Sequence, residues 1–469
     1  MKKKIVSKTL AILLAGGALV GVTSCDKISG IIPTETPSNT TGGVVTPTPT
    51  PNPTPMPTPT PEVHAVIELN GVEYKSIKEA LAAIPTSGDT ATYTIRLEKG
   101  TYNENGLNYN GSATIKIVGA TDTKYGADVI IKGHGSDMGK MRGRELLEIQ
   151  GTGNIILENI TLESDWSRAD HKGDVQAEVL GTDTKGNTVA YNCSFKSHQD
   201  TLRTAGKAWF YGCYIEGDTD FIWMEAAGSV ALYEKCEIVS LYDENATTHA
   251  SYLTAPRMAV SSKVGKGLVI YNSTVKEANK EQATYLARTP WSSGYYNQVA
   301  YINTTCEGVE VNPWYKNQIA TEYPKTIIGW KMDKATADSI GYEGNNDILD
   351  ADTVSKEYSG RKAILNRIYN TGKGKYEKDI ANSWDIDGLI AENNFVVDDD
   401  SSSDVLSGEV IGESTIYEFD GSQDQSALCS GFAREGEKNH YRGGEGATIT
   451  IPVKGKSYVE VYGYYAGTA

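Results

Sequence analysis

Two short stretches carry residue types that could act on a substrate: Ser197-His198-Gln199-Asp200-Thr201-Leu202 and Asp218-Thr219-Asp220-Phe221-Ile222-Trp223. Each sets an Asp hard against a strand-like apolar run. Two carboxylates about 5 Å apart cannot comfortably both ionise, so one keeps its proton to higher pH while the other stays charged. That division yields one acid and one nucleophile. Gln199 adjoins the first Asp and Gln176, in "DVQAEVL", precedes it; side-chain amides of this kind can donate to a developing oxyanion. Either Asp alone reads as a turn cap in a strand ladder. Both together, flanked by two glutamines, read as chemistry, provided the fold brings residues 200 and 220 side by side.

The surrounding chain supplies such a fold. "VAYNCSFKS" from Val189, "WFYGCYIEG" from Trp209, "ALYEKCEIVS" from Ala231, "LVIYNSTVKE" from Leu268 and "VAYINTTCEG" from Val299 are variants of one unit, with "IILENITLES" from Ile155 as an earlier relative. Each is a short β-rich run with a small or thiol residue between apolar ones. Recurrence without intervening helices predicts an all-β right-handed parallel β-helix whose longer laps carry loops on one face. Neighbouring parallel strands lie ~4.8 Å apart, so residues one lap apart are neighbours. Asp200 and Asp220 are then adjacent, Gln176 and Gln199 edge the same patch, and Cys193, Cys213 and Cys236 stack inward. Because consecutive strand residues face opposite ways, Gln199 and Asp200 share a site only if the chain bends there. The polar residues around Gly217 allow both Asp to sit at strand ends.

Composition narrows the class. The 469 residues carry 44 Lys and Arg against 60 Asp and Glu, a net charge of −16, which argues against general affinity for nucleic acid or an anionic membrane. Residues 1–25 resemble a bacterial lipoprotein signal: Lys2-Lys3-Lys4, an apolar run from Thr9 to Val20, then Val22-Thr23-Ser24-Cys25, with Cys25 the residue lipidated. A plain secretory signal with an incidental Cys is the other reading. Both mean export, and the first implies anchorage to the bacterial cell envelope, facing outward, through lipid at Cys25. Residues 26–61 are rich in Pro and Thr and predict a stiff spacer. The main domain is expected over 62–397, an acidic linker over 398–404, and a small, incomplete β-sandwich-like module over 405–469, where "STIYEFDG", "ATITIPVKG" and "SYVEVYGYYAG" alternate as antiparallel strands do. Tyr458, Tyr462, Tyr464 and Tyr465 read equally as stacking surfaces for sugars or as core residues.

"GTYNE" (Gly100 to Glu104), "QAEVL" (Gln176 to Leu180), "QDTL" (Gln199 to Leu202), "DFIW" (Asp220 to Trp223) and "YLARTPW" (Tyr285 to Trp291) resemble, in order, the signature segments of the pectin methylesterases. The resemblance runs from about Val66 to Trp330. It implies a right-handed parallel β-helix that needs no metal or cofactor and removes methyl esters from methylated polygalacturonate, the homogalacturonan of pectin. By position it makes Asp220 the nucleophile, Asp200 the acid and base, Gln176 and Gln199 oxyanion donors, and Arg288 the partner that keeps Asp220 ionised. Trp223 and Trp291 could wall the cleft against sugar rings, or be core or turn aromatics. Two departures stand out. Met224 occupies the place of a small Gly, and is expected to crowd the turn after the nucleophile and narrow the cleft. The usual "LGRPW" is "LARTPW", with Ala287 for Gly and Thr289 inserted.

Gly133-His134-Gly135 reads as a turn, His198 as a solvent-facing strand-end residue, and the Cys and His spacing as no metal site. Cys193 and Cys213 are placed for a disulfide, although inward-stacked free thiols fit better. The expectation is a monomeric enzyme acting on pectin. A catalytically silent β-helix that binds pectin or serves as an adhesin, and an esterase for another acyl group, are the alternatives.

Overall fold

The computed structural model describes residues 67–400, apart from 173–174, 247–249, 260–265, 280–281, 290–294, 317–326, 345, 367–368, 373–374 and 378–383, and beyond them the strands 404–406, 409–411, 429–435 and 440–449. Cys25, the Pro-rich stretch, Trp291 and the C-terminal tyrosines lie outside the described residues.

The described chain winds as a right-handed parallel β-helix. Eight short strands make one sheet in strict chain order: Gly100–Asn103, Val129–Gly133, Thr161–Ser164, Ser194–Lys196, Tyr214–Gly217, Glu237–Ser240, Thr274–Glu277 and Thr305–Glu307. A second, 18-stranded sheet carries the rest of each lap, including the long strands Leu202–Tyr211 and Thr219–Glu234. In the short sheet the register stacks Ile131, Leu162, Phe195, Ile215, Ile238, Val275 and Cys306 in one column. All are buried, and removing each from water favours the fold by roughly 1.5–3 kcal/mol for the larger apolar side chains.

A single residue turns the chain from the large sheet into the short one. Asn159, Asn192, Gly212, Lys235, Asn272 and Asn303 all have φ between 46° and 60°, the left-handed region that Gly and Asn enter at least cost. Asn192 donates its amide to Asn159 Oδ1 at 2.7 Å, and Asn303 to Asn272 Oδ1 at 2.6 Å. The next residue in each later lap is small and points inward. The thiols of Cys193, Cys213 and Cys236, and the hydroxyls of Ser273 and Thr304, each face the carbonyl two residues back, at 2.9–3.5 Å. Cys193, Cys213, Cys236 and Cys306 are all free and buried, so the thiols act as small apolar residues.

Helix Ile77–Ala82 buries Ile77, Ala80 and Leu81 near the start of the coil. Ser76 caps it, and Glu104 of "GTYNE" accepts from the Ile77 and Lys78 N–H groups at 2.5 and 2.9 Å, satisfying donors that a helix start leaves open. At the other end, helices Ala351–Glu357, Arg361–Leu365 and Ile386–Asn393 cover an outer apolar face of the large sheet. Trp209, Val230, Val269 and Ala300 from the sheet meet Ile364, Leu365, Trp384 and Phe395 there. Arg361 grips the buried Glu234 through two bonds of 2.8 and 2.9 Å, and Trp209 Nε1 donates to the same carboxylate at 3.0 Å. The start of the expected acidic linker is tied to this cover: the Asp398 carbonyl accepts from Arg361 and the Asp400 carboxylate from the Lys362 N–H, each at 2.9 Å. The C-terminal strands form two antiparallel hairpins, Asp404–Leu406 with Glu409–Ile411 and Cys429–Glu435 with His440–Ile449.

Candidate active site

The long strands set the site. Leu202 pairs with Ile222, and an isolated bridge joins Gln199 to Thr219, so Asp200 and Asp220 occupy matching places in adjacent laps. A further bridge joins Gln176 to Gln199 and adds a third lap. The bend required by the sequence lies on the acidic residues themselves: Asp200 has φ 63° and Asp220 φ 50°. Left-handed backbone at a non-Gly residue is uncommon and concentrates where geometry is functional. It breaks the in–out alternation of the strand and brings both carboxylates to one edge. Each Asp is less than a tenth exposed.

Each carboxylate has its own cation. Arg288, at the end of strand Ala283–Arg288, donates from Nε and Nη2 to the two oxygens of Asp220, both at 2.5 Å, while its guanidinium lies 4.4 Å from the centre of the Tyr252 ring. A bidentate guanidinium–carboxylate fork fixes orientation as well as charge. Asp200 Oδ2 accepts from Gln176 Nε2 at 2.8 Å and from Arg144 Nη2 at 2.9 Å. Arg144 also donates to both oxygens of the fully buried Glu178, at 2.6 and 2.7 Å, and from Nη1 to Gln176 Oε1. Burial raises Asp200 to about 7, against the opposing pull of Arg144, with Asp220 pushing it up as well. A carboxyl that holds its proton near neutrality beside an ion-paired carboxylate can act as an acid next to a nucleophile.

The expected substrate-contacting residues divide. Trp223 faces away from the core but is only 2% exposed, between Arg257 at 5.1 Å and Arg203 at 5.9 Å from its ring centre. Its Nε1 has no partner among the described residues. Met224 does not border the cleft, contrary to expectation: it is fully buried in the coil's core beside Ile222, paired in register with the buried Thr204. The left-handed turn at Asp220 resets the alternation, so Ile222 and Met224 point inward and Trp223 outward. The Thr289 insertion is buried.

Sequence reasoning missed two arginines. Arg144 lies in a loop far from Asp200 in the chain, and only the unusual density of charge in "MRGRELLE" hints at it. Arg168 was also missed. It forks onto Asp218 and donates to Asp243 at 3.0 Å, with His198 Nδ1 3.3 Å from Asp218. His198, Asp218 and Asp243 lie close enough to ligate one ion, but the Arg168 guanidinium already bridges the two carboxylates. Arg168, His198, Tyr242 and Asp243 border an open cavity of about 350 Å³. Among the described residues no other group of three or more acidic, His or Cys side chains has metal-binding proximity.

A family model for pectinesterases matches residues 64–328, more than half of the sequence. The chain belongs to the pectinesterase family. It is therefore a carboxylic ester hydrolase acting on pectin methyl esters. A probable pectinesterase A of Aspergillus niger is 28% identical over 293 residues, covering 61% of this chain and 78% of that protein. A pectinesterase of Citrus sinensis, pectinesterase 2, is 29% identical over 248 residues, or 51% of this chain and 44% of its own length. Among solved structures, a pectin methylesterase from carrot superposes with a TM-score of 0.51 at 20% identity, covering 63% of this chain and 90% of that one. That likeness supports the β-helical fold. The pectinesterase match ends before the helical cover formed by residues 351–393.

Proposed function

We propose that this pectinesterase cleaves the methyl ester of methyl-esterified homogalacturonan through a covalent acyl-enzyme, with Asp220 as nucleophile and Asp200 as acid and then base. The observation that carries this reading is the pairing of an Arg288-bound carboxylate with a second buried carboxyl one lap away, which burial raises to about 7. An Asp220 oxygen adds to the ester carbonyl, and the oxyanion is met by Gln199 and the second N–H of Gln176 Nε2, whose first is used by Asp200. Asp200 Oδ2 already accepts two N–H groups, so its proton belongs on Oδ1. The tetrahedral species collapses, the methoxy C–O bond breaks, and methanol leaves with that proton. Asp200, now ionised, takes a proton from water as the hydroxide attacks the anhydride, restoring the Asp220 carboxylate and releasing the galacturonic acid group, which loses its proton to solvent.

The finer parts of the reading rest on sequence. The run ending at Cys25 supports export and lipid anchorage at the bacterial envelope, which metabolic labelling with palmitate and its loss in Cys25→Ala would test. Sedimentation of the soluble domain tests the monomer. The enzymatic reading is tested by methanol release from highly esterified pectin. A protein that binds this polymer and releases no methanol is the silent β-helix instead, and one that releases only acetate is an esterase of different specificity.

A further inference from the structure

We propose that Glu178 is a positioning residue that keeps the acid proton on Asp200 by occupying Arg144, an inference that rests on the ester-hydrolase reading of this site. Glu178 follows Gln176 by two residues, reaches neither Asp nor solvent, and has no place in the chemistry written above. Its carboxylate is fully buried, which is costly unless a cation and hydrogen bonds compensate.

The geometry shows how it acts. The charged and titratable groups facing Asp200 include Arg144, Asp220, Arg257 and Arg288, and Glu178 itself feels the Asp200 charge. Arg288 is committed to Asp220 through both of its bonds. Arg257 lies over Trp223, its Nε proton without an acceptor among the described residues. Arg144 is the cation hydrogen-bonded to Asp200, yet its two-pronged fork is on Glu178, at 2.6 and 2.7 Å, and only a shared Nη2 proton donor reaches Asp200. One positive charge thus faces two buried carboxyl groups, and near neutrality one of them retains a proton. Burial, and after it the charge of Asp200, push the Glu178 carboxyl well up too, against the pull of Arg144, so the two groups compete for that proton; the two-pronged fork on Glu178, against a single Arg144 bond at Asp200, places the negative charge on Glu178. Asp200 is left with the proton. The remaining Arg144 nitrogen, Nη1, donates to Gln176 Oε1, which turns the Gln176 amide so that Nε2 meets Asp200 Oδ2 and leaves Oδ1 open toward the substrate. Glu178 therefore governs two properties through one guanidinium: how much of its charge Asp200 feels, and which Asp200 oxygen carries the proton.

The alternative is an ion pair that matters only for folding. The two differ in the pH profile of kcat/KM for methanol release. Without Glu178, the Arg144 charge turns to Asp200 and favours its ionised form, so the acid is lost at lower pH. In Glu178→Gln the alkaline limb is expected to move down by about one unit or more, roughly a tenfold loss of kcat/KM on that limb, with the acid limb unmoved. Glu178→Asp, which keeps the charge, should recover much of the displacement. The double variant Arg144→Gln/Glu178→Gln removes both charges, and its alkaline limb should return to the wild-type position or above. An unmoved limb in folded Glu178→Gln overturns the inference. If that variant does not fold, the double variant decides, and a limb below that of the wild type overturns it. Absence of methanol release from the unsubstituted protein would instead contradict the hydrolase reading.

Discussion

Asp200 and Asp220 share a left-handed backbone angle, and that conformation places two carboxyl groups at one edge of the coil. The raised proton affinity of Asp200 carries a sign: its acid form is lost as pH rises through about 7. The alkaline limb of kcat/KM is therefore expected close to that pH, and a profile flat well above it would contradict the assigned acid. Arg288 acts on the nucleophile. Arg288→Ala removes the fork that orients Asp220, and kcat is expected to fall by roughly 10²-fold. An unchanged kcat in the folded variant would show that the fork is not maintained in solution. Met224 belongs to stability rather than to specificity. Met224→Gly opens a cavity in the core and places Gly within a strand, and should cost roughly 2–5 kcal/mol in urea unfolding, with substrate preference unchanged. The family resemblance pointed Met224 at the cleft because sequence position alone does not show that Asp220 resets the alternation.

The lap is the element that the sequence displays most openly. Its units read "YNCS", "YGCY", "EKCE", "YNST" and "INTT", and the structure explains each letter: an extended residue, a left-handed turn, a small residue facing a carbonyl, then the next strand. The one-lap separation of residues 200 and 220 makes their adjacency legible in the sequence. Arg144 and Glu178 were not legible as a pair. Arg144 comes from the loop before strand Leu147–Gly151, and nothing in its spacing announces that it reaches across two laps. The outer helices were hidden for a related reason, since their apolar residues match a sheet face rather than a repeat. A test belongs to this scale. Asn192 accepts from the Tyr125 N–H at 2.6 Å and donates to the Thr123 carbonyl at 2.9 Å as well as to Asn159. Asn192→Ala loses these bonds and strains the turn, and should cost roughly 2–4 kcal/mol. Asn192→Gly, free of the strain, should cost less. Equal losses would mean that backbone conformation contributes nothing there.

At the scale of the whole molecule, the chain combines a pectinesterase coil with a helical cover beyond the family match. Glu234 is buried among sheet residues, and its compensating charge comes from Arg361 in that cover. Ending the protein before residue 334 would strip Arg361, leave an unpaired buried carboxylate and expose Trp209, so soluble expression should collapse. Ending it after residue 403 keeps Arg361, Asp398 and Asp400, and should preserve turnover on short soluble methyl-esterified oligogalacturonides. Collapse there would mean that the hairpins beyond complete the catalytic domain. The central claim, that the paired carboxyl groups perform the ester cleavage, is tested most directly by methanol release from the purified, folded Asp220→Asn variant on highly esterified pectin. The change removes a charge and almost no volume, so the fold should persist while kcat falls by roughly 10³-fold or more; release at the wild-type rate would contradict Asp220 as nucleophile.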